Sequence, residues 1–112
     1  MREIGDFIGG RHIAGTSGRF GDMFNPASGE QIAKVAFADA GEVNKAVAAA
    51  AAAWPAWANT PPLRRARTMF KLKELLERDR KEISAIITEQ HGKVLSDADG
   101  EVTRGLDVVE FA

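Results

Sequence analysis

Thr60 to Gly92 reads TPPLRRARTMFKLKELLERDRKEISAIITEQHG, and the fold turns on this stretch. Thr60 is a residue type that caps helix starts, and Pro61 and Pro62 fit a first helical turn, where a missing N–H costs nothing. Leu63, Ala66, Met69, Phe70, Leu76, Ile83, Ile86 and Ile87 recur at helical spacing and form one apolar stripe. Gly92 is the expected left-handed stop. One unbroken helix here would be roughly 45 Å long at about 1.5 Å per residue, longer than a small domain is wide. Asp79 followed by Glu82 reads as a second capping box, which predicts a break near Asp79.

Upstream, the spacing changes twice. Asp6 to Ile13, DFIGGRHI, predicts a hairpin about Gly9-Gly10. Gly15 to Gly18, GTSG, reads as a flexible loop, Arg19 to Phe24 as a strand, and Asn25 to Gly29 as a turn. Gln31 to Ala38 alternates, with Ala33, Val35 and Phe37 on one face and Ile32 and Lys34 on the other. The first third is therefore read as a small antiparallel system. Asp39 and Glu42 then form a capping-box pair. Val43, Ala46, Val47, Ala50 and Trp54 make the expected buried face of the helix that follows, and Pro55 is expected to end it at Trp54. Trp54 and Trp57 are expected to fill the corner to the next helix. Downstream of Gly92, Ser96 with Asp99 reads as a third capping box, and Ala98, Val102, Leu106 and Val109 form a stripe. This last helix is still in phase at Ala112, without a C-cap glycine, so a piece of a larger body is expected.

Composition narrows the function classes. The 112 residues carry 15 basic and 16 acidic side chains, a net charge of −1, which argues against a general polyanion binder. Arg64, Arg65, Arg67, Lys71, Lys73, Arg78, Arg80 and Lys81 alternate with Glu74, Glu77, Asp79 and Glu82, as on a solvated helix face. His12 and His91 lie far apart in sequence and lack carboxylates at ligand spacing, so no metal ligands are assigned. There is no cysteine, which removes disulfides and thiolate nucleophiles. No apolar run approaches a membrane span, no h-region follows the N-terminus, and cytoplasm is the expected compartment. No glycine-rich phosphate motif lies between a strand and a helix.

The order of these signals resembles a known family. NPASGE (residues 25–30), a short strand, then AxxxEVxxAVxAAxxAW (38–54), PAWANTPPLRRARTMFKLKELLE and EQHGKVLSDADGEV are similar to the N-terminus of the aldehyde dehydrogenase superfamily. Residues 92–112 most resemble its methylmalonate-semialdehyde subgroup. The resemblance implies an α/β fold class, the N-terminal portion of the aldehyde dehydrogenase fold: a short antiparallel β region (1–38) followed by three to four helices (39–112), not a complete domain. It implies NAD-dependent oxidation of an aldehyde on a cysteine, with transfer of the acyl group to coenzyme A. In such proteins the catalytic and cofactor-binding residues lie beyond residue 112, so none is assigned here. Expected partners are the remainder of the parent chain, a small aldehyde and further copies in a dimer or tetramer, with neither nucleic acid nor membrane. Alternatives are a dehydrogenase that uses another aldehyde without coenzyme A, and a self-standing helical interaction module.

Within GEVTRG (100–105) the resemblance gives Arg104 the role of holding a substrate carboxylate. An arginine fork suits that task through two parallel hydrogen bonds, and Arg104 sits about 200° round the helix from Val102, off the buried stripe. The competing role is a surface arginine paired with Glu101. Some relatives bind a monovalent cation near the NPxxGE turn, where the acidic group corresponds to Gln90 here. Lacking a thiolate, the purified 112-residue chain is expected to produce no NADH from any aldehyde. Enzyme-dependent absorbance at the NADH band would contradict that reading.

Overall fold

The structure, a computed structural model, describes residues 1–112 as five strands and four helices. They fall into two compact units: residues 1–24 with 29–59, and residues 25–28 with 60–112.

The first unit holds the strands and the first helix. β1 (Arg2–Ile4), β5 (Gln31–Ala36) and β4 (Phe20–Phe24) form a sheet in the order β1-β5-β4. β4 and β5 are antiparallel, with a bulge between Met23 and Phe24. β1 pairs parallel to β5, an addition to the expected antiparallel system. Its three residues are too short to show a period. β5 ends at Ala36, two residues early. Ala33 is fully buried, but Phe37 is half exposed. β2 (Asp6–Ile8) and β3 (Arg11–Ile13) form the expected hairpin. Gly9 and Gly10, with φ of 60° and 77°, give the turn its two positive angles.

α1 (Ala40–Ala58) starts at the predicted capping box: Asp39 accepts from the Glu42 N–H, and Glu42 accepts from the Asp39 N–H. The buried Glu42 carboxylate also takes the Thr16 N–H at 2.6 Å and the Thr16 hydroxyl at 2.9 Å. The GTSG segment is thus fastened, not the free loop its glycines suggest. Ser17 adds a bond to the Phe37 carbonyl. The helix does not stop at Trp54 but runs through Pro55. Proline's fixed φ is helical, but its ring forfeits one N–H bond and crowds the carbonyl four residues back; the alanines before it favour continuation all the same. The Asn59 N–H closes the last turn onto the Pro55 carbonyl at 3.1 Å. The expected buried face is largely open: Val47 is 62% exposed, Trp54 64% and Trp57 40%. Trp54 and Trp57 are therefore accessible side chains here, not the buried corner residues expected.

The second unit packs three helices. α2 (Pro62–Arg78) and α3 (Arg80–His91) break at Asp79 as predicted, but not through a capping box. The Asp79 carboxylate is taken by its neighbour Arg78, with both bonds at 2.7 Å, so it caps nothing. α2 is likewise capped by Pro61 without a side-chain bond, not by Thr60. α3 stops at Gly92, whose φ of 85° is left-handed. α4 (Leu95–Phe111) buries Ala98, Val102 and Leu106, the predicted stripe. Each of the two larger side chains contributes roughly 1.5–3 kcal/mol by leaving water. α4 starts one residue before Ser96, and Asp99 is engaged by Arg80 instead of closing a capping box. Lys73 of α2 joins Glu110 of α4 at 2.5 Å. No helix is long and apolar enough to cross a membrane.

Two glycines separate backbone demand from mere tolerance. A Cβ on Gly92 would meet Pro26 Cγ at 2.9 Å in a left-handed backbone, whereas one on Gly105, inside α4, would meet nothing within 4 Å. Gly92→Ala should lower stability by about 1–3 kcal/mol. Gly105→Ala should raise it by about 0.5–1 kcal/mol. Urea unfolding of both variants checks the pair; a Gly92→Ala chain as stable as the parent sequence would remove the argument.

Candidate functional site

The second unit carries its concentrated polar chemistry along α4 and the link before it. Gly92 ends α3, and Lys93 and Val94 carry the chain into α4. The first turns of α4 hold Asp99, Glu101, Thr103 and Arg104. Helical geometry separates them: Asp99 and Thr103 stand one turn apart on one side, and Gly100 and Arg104 on the next.

Asp99 and Thr103 meet α3. The Arg80 guanidinium donates to Asp99 Oδ2 at 2.8 Å and to the Asp99 carbonyl at 3.0 Å, and it also bonds the Thr103 hydroxyl. This fork ties the start of α3 to α4 and holds the Asp99 carboxyl below its ordinary 3.8. Buried beside it, Ser84 is 2% exposed.

Glu101 meets the link. Its carboxylate is bound by Lys93 Nζ, which holds its pKa down; the positive charges of Arg104 and His91 act in the same direction. The competing role, an Arg104 paired with Glu101, is not what the structure has: Lys93, eight residues earlier, holds that carboxylate. Arg104 is exposed and belongs to no ion pair of the chain. Its guanidinium lies back over Gly100, where a Cβ would stand 3.7 Å from Nη1. A helical side chain leans toward the N-terminus, so the residue four positions earlier decides the room it has. What results is an accessible, permanently charged fork with unused donors, suited to a carboxylate.

The other flagged residues lie elsewhere. Gln90 is exposed in the last turn of α3. The NPAS turn does come to that helix end, with Pro26 against Gly92, but Gln90 brings an amide where a cation would favour a carboxylate. His12 stacks edge-on against Phe7 at 5.0 Å between ring centres.

The helix starts do not fit a dinucleotide. α1 carries Asp39 and Glu42, whose carboxylates occupy its first N–H groups and would repel a pyrophosphate. α2 begins with two prolines, which have no N–H to offer. α4 begins without a glycine-rich turn and has Asp97 in its first turn. Sequence reading missed Lys93 and Arg80. Their partners lie 8 and 19 residues away, beyond the reach of any helical period.

Residues 12–112 match the model of the aldehyde dehydrogenase family. The chain is 47% identical over 112 residues to the malonate-semialdehyde dehydrogenase of Pseudomonas aeruginosa, covering 100% of this chain and 22% of that protein. It is 42% identical over 106 residues to the human mitochondrial methylmalonate-semialdehyde/malonate-semialdehyde dehydrogenase [acylating], covering 95% and 20%. Among solved structures, a Sinorhizobium meliloti protein assigned as a methylmalonate-semialdehyde dehydrogenase, complexed with NAD, superimposes with a TM-score of 0.97 at 46% identity, over 99% of this chain and 23% of that one. The Oceanimonas doudoroffii methylmalonate-semialdehyde dehydrogenase gives 0.95 at 45% identity, over 99% and 22%. The chain thus spans about a fifth of the length of these relatives, and its fold is that of the N-terminal part of theirs.

The Arg80–Asp99 fork has a pH signature. A carboxyl with a lowered folded pKa stabilises fully above its unfolded value, and that contribution is lost as pH falls through the folded value. Asp99→Asn should therefore cost stability at pH 6. The gap to the unmodified chain should close as pH drops below 3.8. The effect should be modest, because the Asp99 side chain is half exposed. Thermal melts of both chains between pH 6 and 2.5 measure the gap; one that stays constant would show that the charge is not what holds the fork.

Proposed function

Because the chain belongs to the aldehyde dehydrogenase family, we propose that it is the N-terminal segment of a malonate- or methylmalonate-semialdehyde dehydrogenase. The observation that carries this reading is Arg104: an accessible guanidinium with no ion-pair partner, in a GEVTRG segment of a chain 47% identical to a malonate-semialdehyde dehydrogenase. A semialdehyde of this class has a carboxylate at one end and the reacting carbon at the other. Arg104 binds the carboxylate end through paired, charge-assisted hydrogen bonds. Binding there fixes which carbon is presented to the rest of the enzyme.

The segment contains no cysteine and no dinucleotide cradle, so in this reading its contribution is to select and orient substrate. NAD, when bound by the longer protein, would accept the hydride, and coenzyme A would receive the acyl group. The S. meliloti neighbour, solved with NAD, supports the first, and the human relative, named as acylating, supports the second. The exposed faces of α1 and α2 support burial against the remainder of the parent chain and assembly into a dimer or tetramer. We place the full-length enzyme in the cytoplasm.

Arg104→Ala in the full-length enzyme removes hydrogen bonds worth roughly 1.5–3 kcal/mol. The expected loss in kcat/KM for malonate semialdehyde is about ten- to hundredfold, and propanal, which has no carboxylate, should lose much less. Arg104→Lys should recover part of the activity, because it restores the charge without the fork. Equal losses for both aldehydes would return Arg104 to a surface role. Rates with and without coenzyme A separate this reading from a non-acylating dehydrogenase.

A further inference from the structure

Arg104 is an exposed arginine one helical turn beyond a glutamate. In an isolated helix, Glu101 and Arg104 would pair at i, i+3. Such a pair would occupy the fork with an internal carboxylate. The structure resolves the competition otherwise, because Lys93 reaches across from the α3–α4 link and takes Glu101. Lys93 is the more enclosed member, with its side chain 19% exposed against 38% for Glu101. Its backbone position is set by the left-handed stop at Gly92 immediately before it. Glu101 thus faces two positive groups, Lys93 and Arg104, and Lys93 claims it.

We propose that Lys93 is a positioning residue that keeps Arg104 open to a substrate carboxylate by holding Glu101. This rests on the reading of Arg104 as the carboxylate-binding group. Lys93 acts on specificity without touching substrate: when its charge is removed, Glu101 swings onto Arg104, and the incoming carboxylate must displace it.

The test uses the full-length enzyme with malonate semialdehyde and propanal. Lys93→Met keeps the apolar stem and deletes the charge. It should raise KM for malonate semialdehyde about two- to fivefold, the strength of a partly exposed ion pair, while moving kcat and the propanal KM less. Adding Glu101→Gln should return the KM toward that of the unmodified enzyme, since the competing carboxylate is gone. Lys93→Arg should behave like the unmodified enzyme. A crystal structure of Lys93→Met should show the Arg104 guanidinium on Glu101. Equal changes for both aldehydes, or no recovery in the double variant, would overturn the proposal; the latter would mean that Lys93 acts only as a distant charge. If Arg104→Ala itself affects both aldehydes alike, the underlying reading fails and this one with it. If Arg104→Ala discriminates and Lys93→Met does not, only the role of Lys93 falls.

Discussion

The helical unit depends on a backbone angle. At Gly92 the chain enters the left-handed region with Pro26 close against it, and any side chain there would be both strained and obstructed. The reversal ends α3, sends Lys93 toward α4, and lets α4 lie back along α3 with Ala98, Val102 and Leu106 inside. The Arg80 fork can then span the two helices. Each later interaction, including the one that leaves Arg104 free, presupposes that turn.

Periodicity was a good guide where the interaction was local. The α4 stripe, the Gly9-Gly10 hairpin, the Asp39–Glu42 box and the Gly92 stop are all set by residues within four positions of one another, and all were legible. Two of the errors share one physical cause. Asp79 and Asp99 have the chemistry of caps, but a carboxylate goes to the strongest donor within reach. For Asp79 that donor was Arg78, and for Asp99 it was an arginine 19 residues back. A charged fork outcompetes a backbone N–H, and spacing alone cannot reveal which arginine folding will bring near. Pro55 failed as a stop for a different reason: its φ is compatible with a helix, and the alanines before it favour continuing despite the lost hydrogen bond and the crowding of the preceding turn.

The candidate site was half visible. Arg104 was chosen through the resemblance of its segment, with its angle on the helix in agreement, but its lack of an ion-pair partner was not legible. The Lys93–Glu101 pair, which arises only when the link folds, is the proposed reason for it. Arginine side chains are common on surfaces, and most have nearby carboxylates. What distinguishes Arg104 is the disposal of its nearest one. The helix starts make a complementary point. At the starts of α1, α2 and α4, carboxylates or prolines stand where a phosphate would need bare N–H groups.

Glu42 carries a different kind of consequence. Its carboxylate closes a covalent span of 26 residues while also starting its own helix. Closing a span of that length costs entropy that grows only slowly with its size. The receiving group, however, must already be fixed in space for the closure to hold. A helix start can form on its own, from neighbours in the chain, before any strand is paired. In this unit the local Asp39–Glu42 box fixes the carboxylate in place, and the glycine-rich segment around Thr16 binds to it. An insertion within that segment would lengthen the loop without removing the anchor, whereas a change at Glu42 would remove the anchor itself.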